Sequence, residues 1–330
     1  MQDVAVAASQ SCRDDLCNAV QGLKHEDIVT NDNPTHGHCV TLLMPLTLPD
    51  RLPLISYLAE YFCLHDDEGD LVMEMAVERK RARKQLLVQL LGRFMAVNII
   101  QTQSLIQGLE AYSATTALAD RQRSFNTIEE YIDYRFHDYA SEFMLAAMMF
   151  GMDMDPMTDE ERTTMVPFVC LGFRVISLIN DYYSFDVEYA CEEPTKKNDI
   201  INGVAVLMKL DGLSVHEAKQ KLKDIAISFD RDFIALWEDM SARGCLAGRT
   251  PQLVEAIAFH MVGKAVWSST TLRYDLAYRL KTQRTRADSV VEHKASANRE
   301  TTTDVRATVP VIINLAAESV VTSEQPLRVR

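Results

Sequence analysis

The sequence predicts an all-α protein, and two observations support this prediction, while a third shows that the chain can bury a core. Apolar residues recur at intervals of three and four along most of the chain. Gly and Pro, which interrupt helices, number only 12 and 10 among 330 residues. Hydrophobic residues make up 47% of the chain and charged residues 25%, which is enough for a sizeable core. We therefore expect one large helical domain or two smaller ones.

The first part of the chain is expected to hold irregular structure followed by helices. Residues 1–50 are predicted to be irregular, since turn-forming residues cluster in the segment NDNPTHG. A helix is expected after Pro53, where the helical spacing of apolar residues begins. A long helical stretch is then predicted over about 72–117.

The later helices are predicted from their caps and from breaks in the apolar pattern. One helix begins at a cap formed by Asn126 or Thr127 and ends near Gly151. The next begins near Thr158 and continues to about Tyr189. Further helices are expected over about 199–209, 214–240 and 250–283.

The composition of the chain changes after about residue 282. The segment 283–330 has almost no aromatic residues and many Thr, Arg, Ser and Ala residues. This composition is typical of linkers and disordered tails. We expect residues 1–282 to form the folded domain and residues 283–330 to be a linker or disordered tail.

Charge, hydropathy and cysteine placement restrict the function. A net charge of −13 argues against a nucleic acid partner, and divalent cations would have to mediate binding of an anionic substrate. No membrane span is predicted, because no apolar run approaches 18 residues, and the N-terminus lacks the features of a secretory signal. The seven cysteines are irregularly spaced, which indicates reduced thiols and a cytoplasmic location.

An acidic cluster, LHDDEGD, lies at the end of an apolar helix. Asp66 and Asp70 are one helical turn apart and are expected to face the same way. Mg²⁺ is typically held by one or two carboxylates together with substrate phosphates. Asp66, Asp67 and Asp70 are therefore candidate metal ligands. A solvated helix end is the alternative that the spacing leaves open.

The segment LINDYYSFDVEYA places polar residues at steps of four on an apolar helix. Asn180, Ser184 and Glu188 drift by only about 40° per step, so they form one stripe. An amide oxygen, a hydroxyl and a carboxylate on one stripe can chelate a hard cation. A polar helix face that arises by chance is the alternative, and the apolar run before the stripe weakens it.

Two further groups are candidates for binding phosphate or lining a cavity. Arg135, Asp138 and Tyr139 share a helical face, where the arginine could hold a phosphate and Asp138 could orient it. An ordinary helical ion pair is the alternative. Trp267 and Arg273–Tyr274 are expected late in the last helix, with Trp267 and Tyr274 on one face. An aromatic core stripe is the alternative there.

Taken together, these motifs resemble those of the class I terpene cyclases. The Asp66–Asp67–x–x–Asp70 run resembles their aspartate-rich motif, and residues 180–188 match their second metal motif, N-D-x-x-S-x-x-x-E, at every defined position. Arg135 resembles the diphosphate sensor, Asp138 the linker and Tyr139 the effector, while Arg273–Tyr274 resembles the late RY pair. The chain is most similar to the cyclase halves of fungal bifunctional terpene synthases of the fusicoccadiene-synthase type. It departs from the pattern in the short interval between Asp66 and Arg135, and in Tyr139, where Gly is common.

The resemblance implies a helical bundle around a central apolar cavity, and a Mg²⁺-dependent cyclase. Three Mg²⁺ ions would be held by the acidic cluster and the Asn180 stripe. Arg135, Arg273 and Tyr274 would bind the diphosphate of a linear isoprenoid, with geranylgeranyl or geranylfarnesyl diphosphate favoured. The product would be a polycyclic di- or sesterterpene hydrocarbon. A fused or associated prenyltransferase domain and a homo-oligomer are also implied.

Aromatic side chains in the cavity would stabilise carbocations by about 0.5–2 kcal/mol each. Phe62 lies one turn before Asp66, Phe173 lies two turns before Asn180, and Trp267 joins them from the last helix. A sesquiterpene cyclase acting on farnesyl diphosphate is one alternative. A trans-prenyltransferase is another, although the second D-D-x-x-D that it needs is missing. A non-catalytic helical scaffold is a third.

Overall fold

A computed structural model of the chain describes residues 1–31, 33–66, 73–118, 124–192 and 200–282, without the side chains of residues 65–66, 73–76 and 115–118. Within these ranges all regular secondary structure is helical, which confirms the predicted class. The α-helices are α1 (Gln2–Ala19), α2 (Cys39–Leu43), α3 (Leu52–Asp66), α4 (Met73–Val97), α5 (Ile99–Leu118), α6 (Ile128–Asp138), α7 (Ser141–Gly151), α8 (Asp159–Cys191), α9 (Gly203–Asp211), α10 (Val215–Ala242) and α11 (Thr250–Thr270).

The N-terminal helix α1 is the largest difference from the prediction, which expected irregular structure there. Its buried stripe includes Ala5, Cys12 and Leu16, and it packs against α3. Small, weakly apolar residues fill much of this stripe, so the periodic signal in the sequence is faint. Arg13 also forms a buried ion pair with Glu60 of α3 at 3.0 Å. Contact with α3 thus stabilises a helix that local pattern did not predict.

Two predicted helices are each divided in two by a local break. Asn98 separates α4 from α5, and its side-chain oxygen accepts hydrogen bonds from the N–H groups of Ile100 and Gln101 at 3.0 and 3.1 Å. Ala140 separates α6 from α7 because its backbone is left-handed, with φ of 58°.

The N-caps of these helices were predicted in part. The side chain of Thr127, one of the two predicted caps of α6, accepts a hydrogen bond from the N–H of Glu130 in the first turn. Asn98 acts as an N-cap, which the sequence interpretation missed.

The last predicted helix, 250–283, also has a break. Helix α11 ends at Thr270, and a 3₁₀ turn follows over Leu272–Tyr274. The side-chain oxygen of Thr271 accepts a hydrogen bond from the N–H of Arg273 at 3.3 Å, which stabilises the turn. Trp267 and Tyr274 therefore do not share a helix face, and that prediction was wrong. Their rings nevertheless meet, with centroids 5.7 Å apart.

Helix α8 is the central element of the bundle. It begins at a capping box in which Thr158 and Glu161 satisfy each other's backbone groups. It packs against α6, α9, α10 and α11. By length and apolar composition, α8 is the one helix of the described residues that could cross a membrane. Half of its most apolar 18-residue stretch is nevertheless buried inside the protein. That burial is the pattern of a core helix.

Close approach to α2 sets the position of α11. A Cβ atom on Gly263 would lie 2.1 Å from the carbonyl oxygen of Leu42, so only glycine permits this contact. The contact fixes the rotation of α11 next to Lys264 and Trp267. Helix α11 packs against α8, and Lys264 on α11 thereby reaches Asn180 of α8.

The described residues belong to one compact unit that extends over Met1–Val290. The predicted boundary after residue 282 and the predicted linker or tail, 283–330, lie outside the described residues. That division of the chain therefore stays a prediction.

Candidate active site

A cavity of about 520 Å³ lies among α3, α6, α7, α8 and α11. Its apolar lining includes Leu43, Ile55, Leu58, Phe62, Phe143 and Met144. Its polar lining includes Arg135, Asn180, Ser184, Glu188, Lys264 and Arg273. The wall of the cavity thus combines apolar side chains with charged and hydrogen-bonding ones.

The polar stripe predicted on α8 faces this cavity. Asn180, Ser184 and Glu188 all line it, as their spacing of four residues requires. The side-chain oxygen of Asn180 accepts hydrogen bonds from the Tyr274 hydroxyl at 2.7 Å and from the Lys264 ammonium at 2.8 Å. Lys264 and Tyr274, which are 84 and 94 positions after Asn180 in the chain, therefore both contact its amide oxygen.

Asn202, the N-cap of α9, anchors the other two members of the stripe. Its amide nitrogen donates to Glu188 Oε2 at 2.9 Å and is 3.4 Å from Ser184 Oγ. The amide oxygen of the same residue accepts from the N–H of Val204 at 2.9 Å. Asn202 therefore fixes the stripe against the start of α9. Its role was missed because a capping residue in a loop carries no functional signal in the sequence.

The donors of the stripe fit a hard divalent cation. Burial raises the pKa of Glu188, because the charged carboxylate is poorly solvated on the cavity wall. A half-buried carboxylate beside an amide oxygen and a hydroxyl is stabilised by a cation that prefers oxygen ligands, such as Mg²⁺. Among the described residues there is no cluster of three His, Cys, Asp or Glu side chains that could hold a metal ion.

Two carboxylates hold the Arg135 side chain at the cavity wall. Its Nε donates to Asp181 Oδ1 at 3.0 Å, and its Nη1 donates to Asp138 Oδ2 at 2.5 Å. Asp181 also accepts from the Tyr131 hydroxyl and from the N–H of Gly203. Burial raises the pKa of Asp181, and the Arg135 charge opposes that rise. These contacts orient the Arg135 guanidinium, as predicted for Asp138. Asp181 is a second carboxylate that orients it, and the sequence analysis did not identify this role.

Tyr139 lies at the break between α6 and α7. It caps α6 through its N–H, which donates to the carbonyl of Arg135 at 2.9 Å. Its ring lies 5.7 Å from the Arg135 guanidinium carbon, and it lines the cavity. The left-handed Ala140 that follows costs of order 1 kcal/mol for a residue with a Cβ. This strained break turns the backbone next to the predicted effector position.

Arg273 and Tyr274 reach the cavity from the 3₁₀ turn. Arg273 Nη1 donates to the carbonyl of Cys63 near the end of α3 at 3.3 Å. Trp267 lines the cavity and donates from its indole nitrogen to the carbonyl of Asn31 at 3.1 Å. These contacts link the C-terminal segment to α3 and to the loop before α2.

Lys264 is a charged cavity residue that sequence reasoning missed. It is 4% exposed and lies 4.9 Å from the Trp267 ring centroid. Burial lowers the pKa of Lys264 to about 7, and the positive charges of Arg273 and Arg135 act in the same direction. A lone lysine inside the apolar run AIAFHMVGKAVW is the sequence signal that could have identified it.

The predicted aromatic residues have different positions. Phe62 lines the cavity and packs on Phe143, with ring centroids 4.6 Å apart. Phe173 is not among the lining residues; it is fully buried between α8 and α11, with its ring 6.1 Å from that of His260. The prediction that Phe173 lines the cavity was therefore wrong. The face that Phe173 shares with Asn180 is filled by α11 at the level of Phe173.

The acidic cluster cannot be placed in the same way. Asp67 and Asp70 lie outside the described residues, and Asp66 ends α3 without a described side chain. Phe62 and Cys63, one turn earlier on α3, line the cavity. The metal role of Asp66, Asp67 and Asp70 therefore stays a prediction.

Residues 89–228 match a family model described as terpene synthase family 2, C-terminal metal binding. This match implies that the chain binds a divalent metal ion. The variediene synthase of Aspergillus brasiliensis is 25% identical over 293 residues, covering 83% of this chain and 42% of that protein. The terpene cyclase ATR13 of Stachybotrys chlorohalonatus is 25% identical over 277 residues, covering 75% of this chain and 72% of that protein. The chain spans about two fifths of the length of the variediene synthases that it matches.

Solved structures show the same fold at low sequence identity. Aristolochene synthase from Penicillium roqueforti superposes with a TM-score of 0.58 at 20% identity, covering 71% of this chain and 83% of that one. Wild-type cucumene synthase gives a TM-score of 0.60 at 15% identity, covering 81% of this chain and 96% of that one. The helical arrangement around the cavity is therefore one that occurs in other proteins with very different sequences.

Proposed function

We propose that this chain, which has the fold of the class I terpene synthases and resembles the fungal di- and sesterterpene synthases, is a Mg²⁺-dependent terpene cyclase. It would ionise a linear isoprenoid diphosphate, with geranylgeranyl or geranylfarnesyl diphosphate favoured, and release diphosphate and a cyclic hydrocarbon. The observation that carries the proposal is the lining of the cavity, which combines cationic and metal-ligating groups with apolar side chains.

The polar side chains of the cavity would hold and ionise the diphosphate. Asn180, Ser184 and Glu188 would hold one Mg²⁺ ion, and the acidic cluster the other two that the resemblance implies. When bound, these ions would neutralise charge on the diphosphate as its bond to carbon breaks. Arg135 and Arg273 would donate hydrogen bonds to the same group, and such charge-assisted bonds are short and strong.

Preorganisation of Arg135 supports its proposed role as diphosphate sensor. The carboxylates of Asp138 and Asp181 hold the guanidinium before substrate arrives, so little reorganisation is needed during reaction. Asp138 would link Arg135 to Tyr139, which the resemblance makes the effector. The turn at Ala140 lies beside that position, where a backbone carbonyl could face the allylic cation.

The apolar side chains of the cavity would bind the isoprenoid chain and keep water from the cation. The volume of the whole cavity, about 520 Å³, lies in the range of small-molecule sites, about 300–1,000 Å³. Trp267 and Phe62 line the cavity, and their rings could stabilise cations by about 0.5–2 kcal/mol each. Contacts of Trp267 with Asn31 and of Phe62 with Phe143 fix both rings in place.

The test is incubation of the full chain with geranyl, farnesyl, geranylgeranyl and geranylfarnesyl diphosphate, with Mg²⁺ or with a chelator. Mass spectrometry of the organic extract should show a hydrocarbon from a twenty- or twenty-five-carbon substrate only when Mg²⁺ is present. A product from farnesyl diphosphate alone would instead support the sesquiterpene alternative. Absence of both product and diphosphate release with all four substrates would refute the proposal.

A matched pair of variants tests the stripe on α8. Asn180→Ala should abolish product formation while the helical circular dichroism stays, because it removes a ligand oxygen. Asp186→Asn is the control, since Asp186 is exposed on the same segment and pairs with Lys219 at 2.7 Å, away from the stripe. Equal turnover by both variants would exclude the proposed metal role of Asn180.

Further parts of the proposal concern the whole protein. A fused or associated prenyltransferase domain, a homo-oligomer and a cytoplasmic location are proposed from the resemblance and from the sequence. Light scattering on the purified full chain would measure its oligomeric state directly.

A further inference from the structure

Lys264 is a buried basic residue that the functions assigned so far do not use. It lies on α11, lines the cavity, and is 4% exposed. Among the described residues, its ammonium donates to neutral oxygens, namely Asn180 Oδ1 at 2.8 Å and the Tyr274 hydroxyl at 3.3 Å. Burial of a charge is costly unless an opposite charge compensates it. This position therefore suits an anion that enters the cavity.

The surroundings of Lys264 favour the same conclusion. Arg135 and Arg273 line the same cavity as Lys264. The ring centroids of Trp267 and Tyr274 lie 4.9 and 5.5 Å from Lys264 Nζ, which partly compensates its charge. Asp138 and Asp181 already compensate the charge of Arg135, so an anion that enters the cavity would chiefly compensate the charge of Lys264.

Lys264 also occupies an oxygen that the metal would need. Asn180 Oδ1 is the only side-chain oxygen of that residue and accepts from both Lys264 and Tyr274. An ammonium and a divalent cation on one amide oxygen repel strongly in a buried site. Binding of metal at Asn180 would therefore release Lys264, whose flexible stem lets the ammonium turn toward a bound anion.

We propose that Lys264 is a further diphosphate-recognition residue, and that before substrate binds its ammonium holds the Asn180 oxygen that a metal ion later takes. This inference rests on the proposed function and deepens it. It makes the binding of metal and of diphosphate interdependent, since the lysine exchanges one partner for the other.

The test compares wild type with Lys264→Met by calorimetric titration of the full chain with inorganic pyrophosphate in the presence of Mg²⁺. Loss of a charge-assisted hydrogen bond in a buried site should weaken pyrophosphate binding at least tenfold. Thermal stabilisation by Mg²⁺ alone should be equal to or larger than in wild type, because the competitor at Asn180 is gone. Lys223→Met on the exposed face of α10 is the matched control and should change neither measurement.

Two results would overturn the role of Lys264. Pyrophosphate affinity within twofold of wild type would remove the recognition role. An equal loss of Mg²⁺ binding and pyrophosphate binding would show that Lys264 only supports Asn180. If Lys264→Met does not fold, Lys264→Gln keeps hydrogen-bond donors without the charge and should show the same selective loss; wild-type affinity in that variant would overturn the proposal.

Failure of the proposed function would look different. Wild type that neither binds pyrophosphate with Mg²⁺ nor releases product would refute the cyclase proposal, and the role of Lys264 with it. Wild type that forms product, together with a Lys264→Met variant of unchanged pyrophosphate affinity, would refute the role of Lys264 alone.

Discussion

Replacement of Asp181 by Asn should test how strongly the buried charge network supports both fold and site. Asp181 is 1% exposed and accepts from Arg135 Nε and from the N–H of Gly203, each at 3.0 Å. The Tyr131 hydroxyl donates to the same carboxylate. Asp181→Asn keeps the size of the side chain but removes its charge. Arg135 then retains only the Asp138 carboxylate of its two charged partners.

The magnitude follows from the burial of this pair. Removing one partner of a buried ion pair costs about 3–5 kcal/mol. Asp138 still compensates part of the Arg135 charge, so we expect the lower end, about 3 kcal/mol. Asp133→Asn is the matched control, because the Asp133–Arg174 pair also joins α6 to α8 but leaves the Asp133 side chain 69% exposed. An exposed pair contributes about 0–1 kcal/mol.

The assay is urea unfolding followed by circular dichroism, together with Mg²⁺-dependent product formation at saturating substrate. Asp181→Asn should lower the free energy of unfolding by about 3 kcal/mol, and the misplaced guanidinium should lower kcat about 100-fold. Asp133→Asn should change both little. Equal losses in the two variants, or a loss below about 1 kcal/mol for Asp181→Asn, would refute the assignment of Arg135 orientation to this carboxylate.

Three further changes test packing, burial and the cavity. Gly172→Ala should destabilise the protein by about 1–3 kcal/mol, because the added Cβ would lie 2.3 Å from Ile257 Cγ2. Gly92→Ala is the control and should not destabilise the protein, since nothing lies within 4 Å of its added Cβ. Similar urea unfolding midpoints for the two variants would contradict this prediction. Burial lowers the pKa of His260 from 6.5 to about 3, so its stabilising contribution is present above pH 6.5 and is lost as pH falls toward 3. Between pH 7 and pH 5, the free energy of unfolding of His260→Leu, measured with urea, should therefore fall by about 2 kcal/mol less than that of wild type. Parallel pH profiles of the two proteins would show that burial of His260 does not lower its pKa. Trp267→Ala should give smaller or less cyclised products by mass spectrometry, and an unchanged product spectrum would exclude it as a cation stabiliser.

Much of the helical structure could be predicted from the sequence because it depends on local pattern. The cap at Thr158 and the apolar period before Asn180 predicted α8 close to its observed limits, Asp159–Cys191. The breaks at Asn98 and Ala140 were not predicted. Neither residue is a Gly or Pro, so composition carried no signal for a break. Whether such a residue ends a helix depends on what packs beyond it.

In the candidate site, too, local spacing predicted some features and packing between helices decided others. Spacing alone placed Asn180, Ser184 and Glu188 on one face, and the structure turns that face to the cavity. The same reasoning failed for Phe173, because α11 covers its part of the face. Asn202 could not be identified from the sequence either, since its contact with Glu188 depends on how α9 docks on α8.

The sequence by itself determined the helical class, the polar stripe of α8 and the resemblance of its motifs, because these depend on residue type and on spacing within one helix. Only the tertiary structure decided that Lys264 meets Asn180 and that Asp181 holds Arg135. Those pairs are 84 and 46 residues apart. The rotation of a helix about its axis is set by the shapes packed against it, such as the contact of Gly263 with Leu42, and no local pattern records which distant side chains that rotation brings together.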